Sequence, residues 1–265
     1  MKLKDFFDTK VCVVLFLLIL SQILLVLAVF GVFDGFKPSK SVETTLVGDF
    51  VSFTEQAENG DTLTGVKNIK TGAIIVAPQM IDSIQVMKKA FAVYVNDGKG
   101  SIFAYRLDGS PLDENDNTFL VFEEKFLHNA KEPIYIGYQE RGKTFYFPKT
   151  DEVVLGTEYY LGSKHIFIQE DIADGHCWSL RTTNGKQTWR FISWEIFLIK
   201  DMSSEAETFC IGLPNEDKEV VLYDVNGTEL KTVSASRWNK AKSLMRGNKK
   251  IGTAEYLECK NIAKI

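Results

Sequence analysis

The chain has 265 residues, 31 basic and 35 acidic side chains for a formal charge of −4, and four cysteines. Without a basic surplus there is nothing to draw it to a phosphate backbone, which leaves nucleic acid out as a partner. No two cysteines form a C-x-x-C pair, so neither a zinc ribbon nor a thioredoxin-type centre is indicated.

Residues 1–10 form a short tail containing Lys2, Lys4 and Lys10, and residues 11–33 follow as VCVVLFLLILSQILLVLAVFGVF. A helix of that length rises about 34 Å, enough to cross the hydrocarbon core of a bilayer. The run is too long for the apolar part of a secretory signal, and it ends in Val29-Phe30-Gly31-Val32-Phe33 rather than a small-x-small cleavage site. It reads as an uncleaved single-pass transmembrane anchor, with the lipid bilayer as its partner and a cleaved signal as the alternative. Three lysines precede the span, whereas Lys37 and Lys40 follow it. That bias favours a cytoplasmic N-terminus and a large domain outside, in a bacterial envelope. Residues 34–45, with Gly35, Pro38, Ser39 and Ser41, read as a linker to a domain over 46–265.

From residue 46 onward the pattern is short β-type runs with polar-glycine dipeptides between them, such as Ser101–Leu107, Thr144–Phe147, His165–Gln169 and Glu219–Asp224. Only Met80–Lys89 and Trp238–Met245 suggest helical turns. Thr71-Gly72, Asp108-Gly109, Arg141-Gly142, Asn184-Gly185 and Asn226-Gly227 recur at separations of 37, 33, 43 and 42 residues. Glycine supplies the positive φ of tight hairpins because it has no Cβ to clash. A period near 40 residues with three or four strands per unit is that of propeller blades. The expectation is an all-β, propeller-like repeat domain of about five units, with a β sandwich as the alternative.

The stretch Asn68-Ile-Lys-Thr-Gly-Ala-Ile-Ile-Val-Ala-Pro78, continued through Tyr94, resembles a unit of the WG-repeat family of bacterial β-repeat proteins. The later units share only its glycine turn and strand alternation, and the Trp-Gly dipeptide is missing. The resemblance implies a repeat scaffold used for binding and no catalytic centre.

Candidate chemistry concentrates in residues 165–194. Asp171, Asp174 and His176 are of metal-ligating type but match no defined spacing. Cys177 with His128 or His165 would make a nucleophile and base, although adjacent His176 and Cys177 on a strand point to opposite faces. Cys210 and Cys259 suit either one disulfide or two buried thiols. No cofactor motif is present. The stronger lead is aromatic: Trp178, Arg181, Trp189, Arg190 and Trp194 are of the types that dominate binding hot spots, and they are expected to bind a protein or glycan partner. The competing reading places the aromatics in the core. Arg237, Lys240, Lys242, Arg246, Lys249 and Lys250 form a basic cluster suited to a membrane surface, a cell-wall polymer, an acidic partner or plain solvent. These features together predict a membrane-anchored binding scaffold. The alternative is an anchored envelope enzyme acting on carbohydrate or cell wall.

Overall fold

The computed structural model describes residues 42–127, 130–172, 175–204 and 208–265, together with Ser21 and Gln22. The expected span at 11–33 therefore lies outside the described residues except for Ser21 and Gln22, which are helical. Among the described residues no helix is long and apolar enough to cross a membrane.

The rest is a succession of five sheets, each formed by consecutive strands. Sheet I holds β1 (Thr44–Val47), β2 (Phe50–Gln56), β3 (Thr62–Asn68) and β4 (Ile74–Gln79); β1 starts within the stretch read as linker. Sheet II holds β5 (Ile81–Val86), β6 (Ala90–Val95), β7 (Ile102–Arg106) and β8 (Thr118–Phe119). Sheet III holds β9 (Val121–Lys125), β10 (Ile134–Gln139), β11 (Gly142–Phe147) and β12 (Glu152–Gly156). Sheet IV holds β13 (Glu158–Leu161), β14 (His165–Ile172), β15 (Gly175–Thr182) and β16 (Gln187–Ile192). Sheet V begins with β17 (Ile196–Asp201), β18 (Thr208–Pro214), β19 (Val220–Tyr223) and β20 (Glu229–Val233). Helix α1 (Ala235–Leu244) then carries the chain back, and β21 (Arg246–Ile251) and β22 (Ala254–Cys259) extend sheet V, with β22 parallel to β17. Every other pairing is antiparallel, so each unit is an up-and-down meander like a propeller blade. Five separately bonded sheets are not the two facing sheets of a sandwich.

Consecutive sheets pack face to face, and strand alternation assigns side chains to the two interfaces. In β6, Phe91, Val93 and Val95 meet Phe50, Val66 and Val76 of sheet I, whereas Ala90 and Ala92 turn toward Phe122, Tyr135 and Tyr146 of sheet III. In β10, Tyr135 faces sheet II while Ile134 and Ile136 face Ile166 and Ile168 of sheet IV. Phe167 and Trp178 of sheet IV meet Leu198 and Ile211 of sheet V. The outer face of sheet V, with Phe197, Ile199, Cys210 and Leu257, is covered by Trp238 of α1 and by Ile265. Helical turns are thus found at 235–244 as expected. The other expected helical stretch, Met80–Lys89, is instead β5 and a turn. There Ile81 and Ile84 pack between sheets I and II, and the backbone pairs with β6.

Four of the five recurring glycines occupy one equivalent place, the turn between the third and fourth strands of sheets I, II, IV and V. Gly72, Gly109, Gly185 and Gly227 there have φ between 73° and 88°. In sheets II, IV and V the first turn residue donates to the carbonyl four residues on, as in Asp224 N to Thr228 O (2.9 Å), and the glycine N–H returns to the first carbonyl. Gly142 is a correction: it lies in β11, paired with Gln139, and the sheet III turn uses Asp151 at φ 52°. Spacing alone cannot separate a turn glycine from a strand glycine one connection away.

These turns also meet the preceding sheet. A Cβ on Gly227 would lie 2.6 Å from the Trp189 indole nitrogen, whereas one on Gly72 would meet nothing within 4 Å. The pair separates backbone strain from close approach. Gly72→Ala is expected to cost about 1–2 kcal/mol for the positive φ alone. Gly227→Ala carries a similar strain plus about 1–3 kcal/mol of overpacking. Urea unfolding of the two variants against the parent chain measures both, and equal losses would rule out the close approach.

Candidate functional site

An open groove of about 1110 Å³ crosses one end of sheets II, III and IV. It is built from connections that lie on the same side of each meander. The β6–β7 turn brings Asp97 and Lys99, the approach to β8 brings Asp116, and the β10–β11 turn brings Glu140 and Arg141. Leu120 and Leu155 stand in this surface, each 54% exposed.

Each wall is fixed locally. Asp97 accepts hydrogen bonds from the Ser101 hydroxyl and from the backbone N–H groups of Lys99 (2.8 Å) and Gly100 (2.9 Å). Those bonds, the hydroxyl first, hold its carboxyl down at about 2. Gln139 bridges sheets II and III: its amide donates to the Asp116 carbonyl (2.5 Å) and its oxygen accepts from the Thr144 hydroxyl (3.1 Å). Lys143 bonds the Thr157 carbonyl and lies 3.8 Å from Glu158, tying sheet III to the start of sheet IV. Glu170 closes the far end, paired with Arg190 at 2.8 Å.

The five residues singled out from sequence do not form one surface. Trp178 is completely buried between sheets IV and V, which takes it out of any ligand surface. Trp189 lies on the same face of sheet IV, against Phe191 (4.2 Å between rings) and Tyr223 (5.0 Å). Arg181 and Arg190 point the other way, toward sheet III. Arg181 is buried and structural: it reaches Glu152 at 2.6 Å and the Gly185 carbonyl at 3.1 Å, and lies 5.5 Å above the Phe147 ring. Arg190 is exposed, and through Glu170 it is the one of the five that braces the groove. Its Nε also donates to the Cys177 sulfur at 3.0 Å. Trp194 is 66% exposed and sits edge-on to His176 at 5.4 Å.

Arg181 has a counterpart on the opposite side of sheet III. Arg106 lies 3.1 Å from Asp151, donates to the Pro111 carbonyl at 2.8 Å, and sits 5.4 Å above the Tyr146 ring. The two arginines thus grip the β11–β12 turn from sheets II and IV, through adjacent acids and adjacent aromatic rings. This is the one turn of the set that lacks glycine.

His128 and Asp174 lie outside the described residues, as does the side chain of Asp171. His176 and Cys177 do occupy opposite faces: His176 Nδ1 is 2.7 Å from the Gln169 amide, and Cys177 meets Arg190. Cys210 and Cys259 are both free, and burial pushes the Cys210 thiol up to about 12. Among the described residues no group of three or more His, Cys, Asp and Glu is placed to hold a metal ion. Two of the groove's carboxylates are already engaged, Asp97 with its own turn and Glu170 with Arg190. What the groove offers is an open, mixed-charge surface with two apolar side chains, which suits an extended chain more than a small molecule held by enclosure. Sequence reading passed over it because its residues come from five separate connections. The available signal was the polar richness of Asn96–Gly100 and Asp113–Asn117, which interrupt the strand pattern of sheet II.

The Asp97 turn makes a pH prediction. Its carboxyl is depressed below the ordinary 3.8. The turn is therefore fully braced above about pH 4 and loosens as pH falls through about 2. The protection of the Lys99, Gly100 and Ser101 amides, each rate taken relative to its intrinsic exchange at the same pH, is expected to fall over that window. Asp97→Asn is expected to show the reduced protection already at neutral pH, and wild-type protection that does not change with pH would contradict the assignment.

No protein-family model and no curated protein matches the chain. Among solved structures it is similar to BamB from Moraxella catarrhalis, at 11% identity and TM-score 0.26, covering 71% of this chain and 62% of that one. It is also similar to Hsv2 from Kluyveromyces marxianus, at 10% identity and TM-score 0.23, covering 80% and 66%. A third is an uncharacterized protein of Listeria monocytogenes EGD-e, at 12% identity and TM-score 0.21, covering 73% and 83%. The chain thus spans less than two thirds of the BamB and Hsv2 structures. Likenesses this slight leave the reading of the site to its own geometry.

Proposed function

We propose that the protein is a membrane-anchored binding scaffold whose propeller-like domain holds a partner polypeptide in the groove over sheets II, III and IV. The observation that carries this reading is the groove itself, where Leu120 and Leu155 stand exposed among Lys99, Arg141, Asp116 and Glu140. Exposed apolar side chains within a charged rim are the composition of a protein-recognition surface. Residues 11–33 act as the anchor on the strength of their uncharged length, and the lysine bias supports an extracytoplasmic domain. The WG-repeat resemblance around residues 68–94 is consistent with a repeat scaffold and remains part of the proposal.

Site-specific photocrosslinking tests the groove. Benzoylphenylalanine at Leu120 or Leu155 is expected to trap a discrete protein partner in the native membrane, while the same group at exposed Leu230 on β20 traps none. Equal or absent capture at all three positions would overturn the assignment. Protein-free protection of the groove by added glycan would replace it with carbohydrate binding.

The anchor is tested separately. Intact cells treated with protease are expected to lose the domain by clipping after residue 34, with the chain resisting alkaline extraction from membranes. Protection until the membrane is opened would place the domain in the cytoplasm, and release by alkali would remove the anchor.

A further inference from the structure

Charge is unevenly divided along this chain. Residues 231–265 contain nine basic and two acidic side chains, whereas residues 1–230 contain 22 basic and 33 acidic ones. The fold gathers the basic segment at one end of the sheet succession, on α1 and on β21 and β22 of sheet V.

The placement is specific. Helix α1 buries Trp238 and turns Ala241 inward, so that Arg237, Lys240 and Leu244, three and four residues apart, share its exposed stripe. Leu244 is 77% exposed, the largest value among the exposed bulky apolar residues described. Strand β21 begins two residues later, and Arg246, Lys249 and Lys250 on it are all exposed. That strand is the edge of the six-stranded sheet. Three basic residues of the segment have partners within it: Lys242 pairs with Glu255 beneath α1, Lys231 donates to the Ala263 carbonyl, and Arg237, though exposed, donates to the Lys264 carbonyl at 3.3 Å.

We propose that this end of the domain is a docking surface for the anionic phospholipid headgroups of a bilayer, with Leu244 as its apolar tip. Exposed lysines on an edge strand also keep that edge from pairing with other strands, and this alone would explain Lys249 and Lys250. It does not explain basic residues on the helix stripe as well, or an exposed leucine at the helix end between Lys240 and Arg246. Basic side chains around an apolar tip match a membrane interface, where headgroup phosphates meet the cations and the tip enters the acyl boundary. A soluble polyanion would match the charges but leave Leu244 without a role.

The surface stands independently of the anchor. The full-length chain is placed in nanodiscs of neutral phosphatidylcholine, and in nanodiscs with about one third phosphatidylglycerol, and amide exchange is followed over residues 240–250. Slower exchange in the anionic discs only is expected, reversed by high salt. An attraction of about fivefold per basic residue near the surface makes the effect large. The variant K240E/R246E/K249E/K250E is expected to lose the protection, L244D to weaken it, and K240R/K249R/K250R to keep it. The control variant K70E/K186E, at exposed positions of sheets I and IV, is expected to behave as the parent. Equal exchange in the two lipids overturns the proposal. So does the same protection from soluble polyphosphate, or protection that survives charge reversal. Failure of the anchor appears differently, as a chain that does not remain with neutral discs at all.

Discussion

Everything in this domain rests on the packing of each sheet against the next. A four-stranded meander has two faces, and here the inner sheets bury both. The strands that cross the middle of each unit must therefore be apolar at successive positions, with odd and even residues serving different neighbours. Ala90-Phe91-Ala92-Val93 in β6 and Ile134-Tyr135-Ile136 in β10 are such strands. Volume is matched across the interfaces: the alanines of sheet II lie opposite Phe122, Tyr135 and Tyr146 of sheet III. At about 1.5–3 kcal/mol for each large side chain taken out of water, these interfaces dominate the favourable side of folding. The last sheet faces the same demand without a sixth meander, and α1 with the C-terminal residues meets it.

The turns report how tightly the units approach. In sheets II, IV and V the glycine of the third-to-fourth-strand turn closes on an aromatic side chain of the preceding sheet, as Gly185 does on Phe147 and Gly227 on Trp189. Sheet III departs from this, and the departure has a physical replacement. Asp151 takes the positive φ, and its carboxylate, with that of Glu152, receives arginines from both neighbouring sheets. An ion pair with a stacked guanidinium does there what close backbone contact does elsewhere. Arg181 thus belongs to the framework even though its residue type suggests recognition.

The groove and the basic end occupy different parts of the molecule and suit different partners. The groove is mixed in charge, with its ionic groups largely tied to local backbone or to each other, so its exposed leucines stand out as the adaptable part. The basic end has a strong excess of one sign and few internal partners among the described residues. A domain carrying both surfaces can be held against a membrane while leaving the groove open to a polypeptide.

Much of the architecture was legible in the chain itself. Alternating apolar runs and recurring glycine turns specified an all-β domain of about five units, because period-two burial and positive φ are local requirements that sequence must satisfy directly. The helix near Trp238 was legible for the same reason. Met80–Lys89 was not, since its pattern is neutral and pairing with β6 decided it. Nor was Arg141-Gly142, where a strand glycine fell near the expected interval. The cluster from Trp178 to Trp194 shows where local reading stops. Residue type and spacing brought those side chains together along the chain, but strand parity sent Trp178 and Trp189 toward sheet V and Arg181 and Arg190 toward sheet III. The groove depended wholly on tertiary structure, because its walls come from separate connections that only sheet-on-sheet packing aligns. Sequence by itself determined which strands must be buried and where the chain must turn; the stacking of the sheets decided which side chains were left to meet a partner.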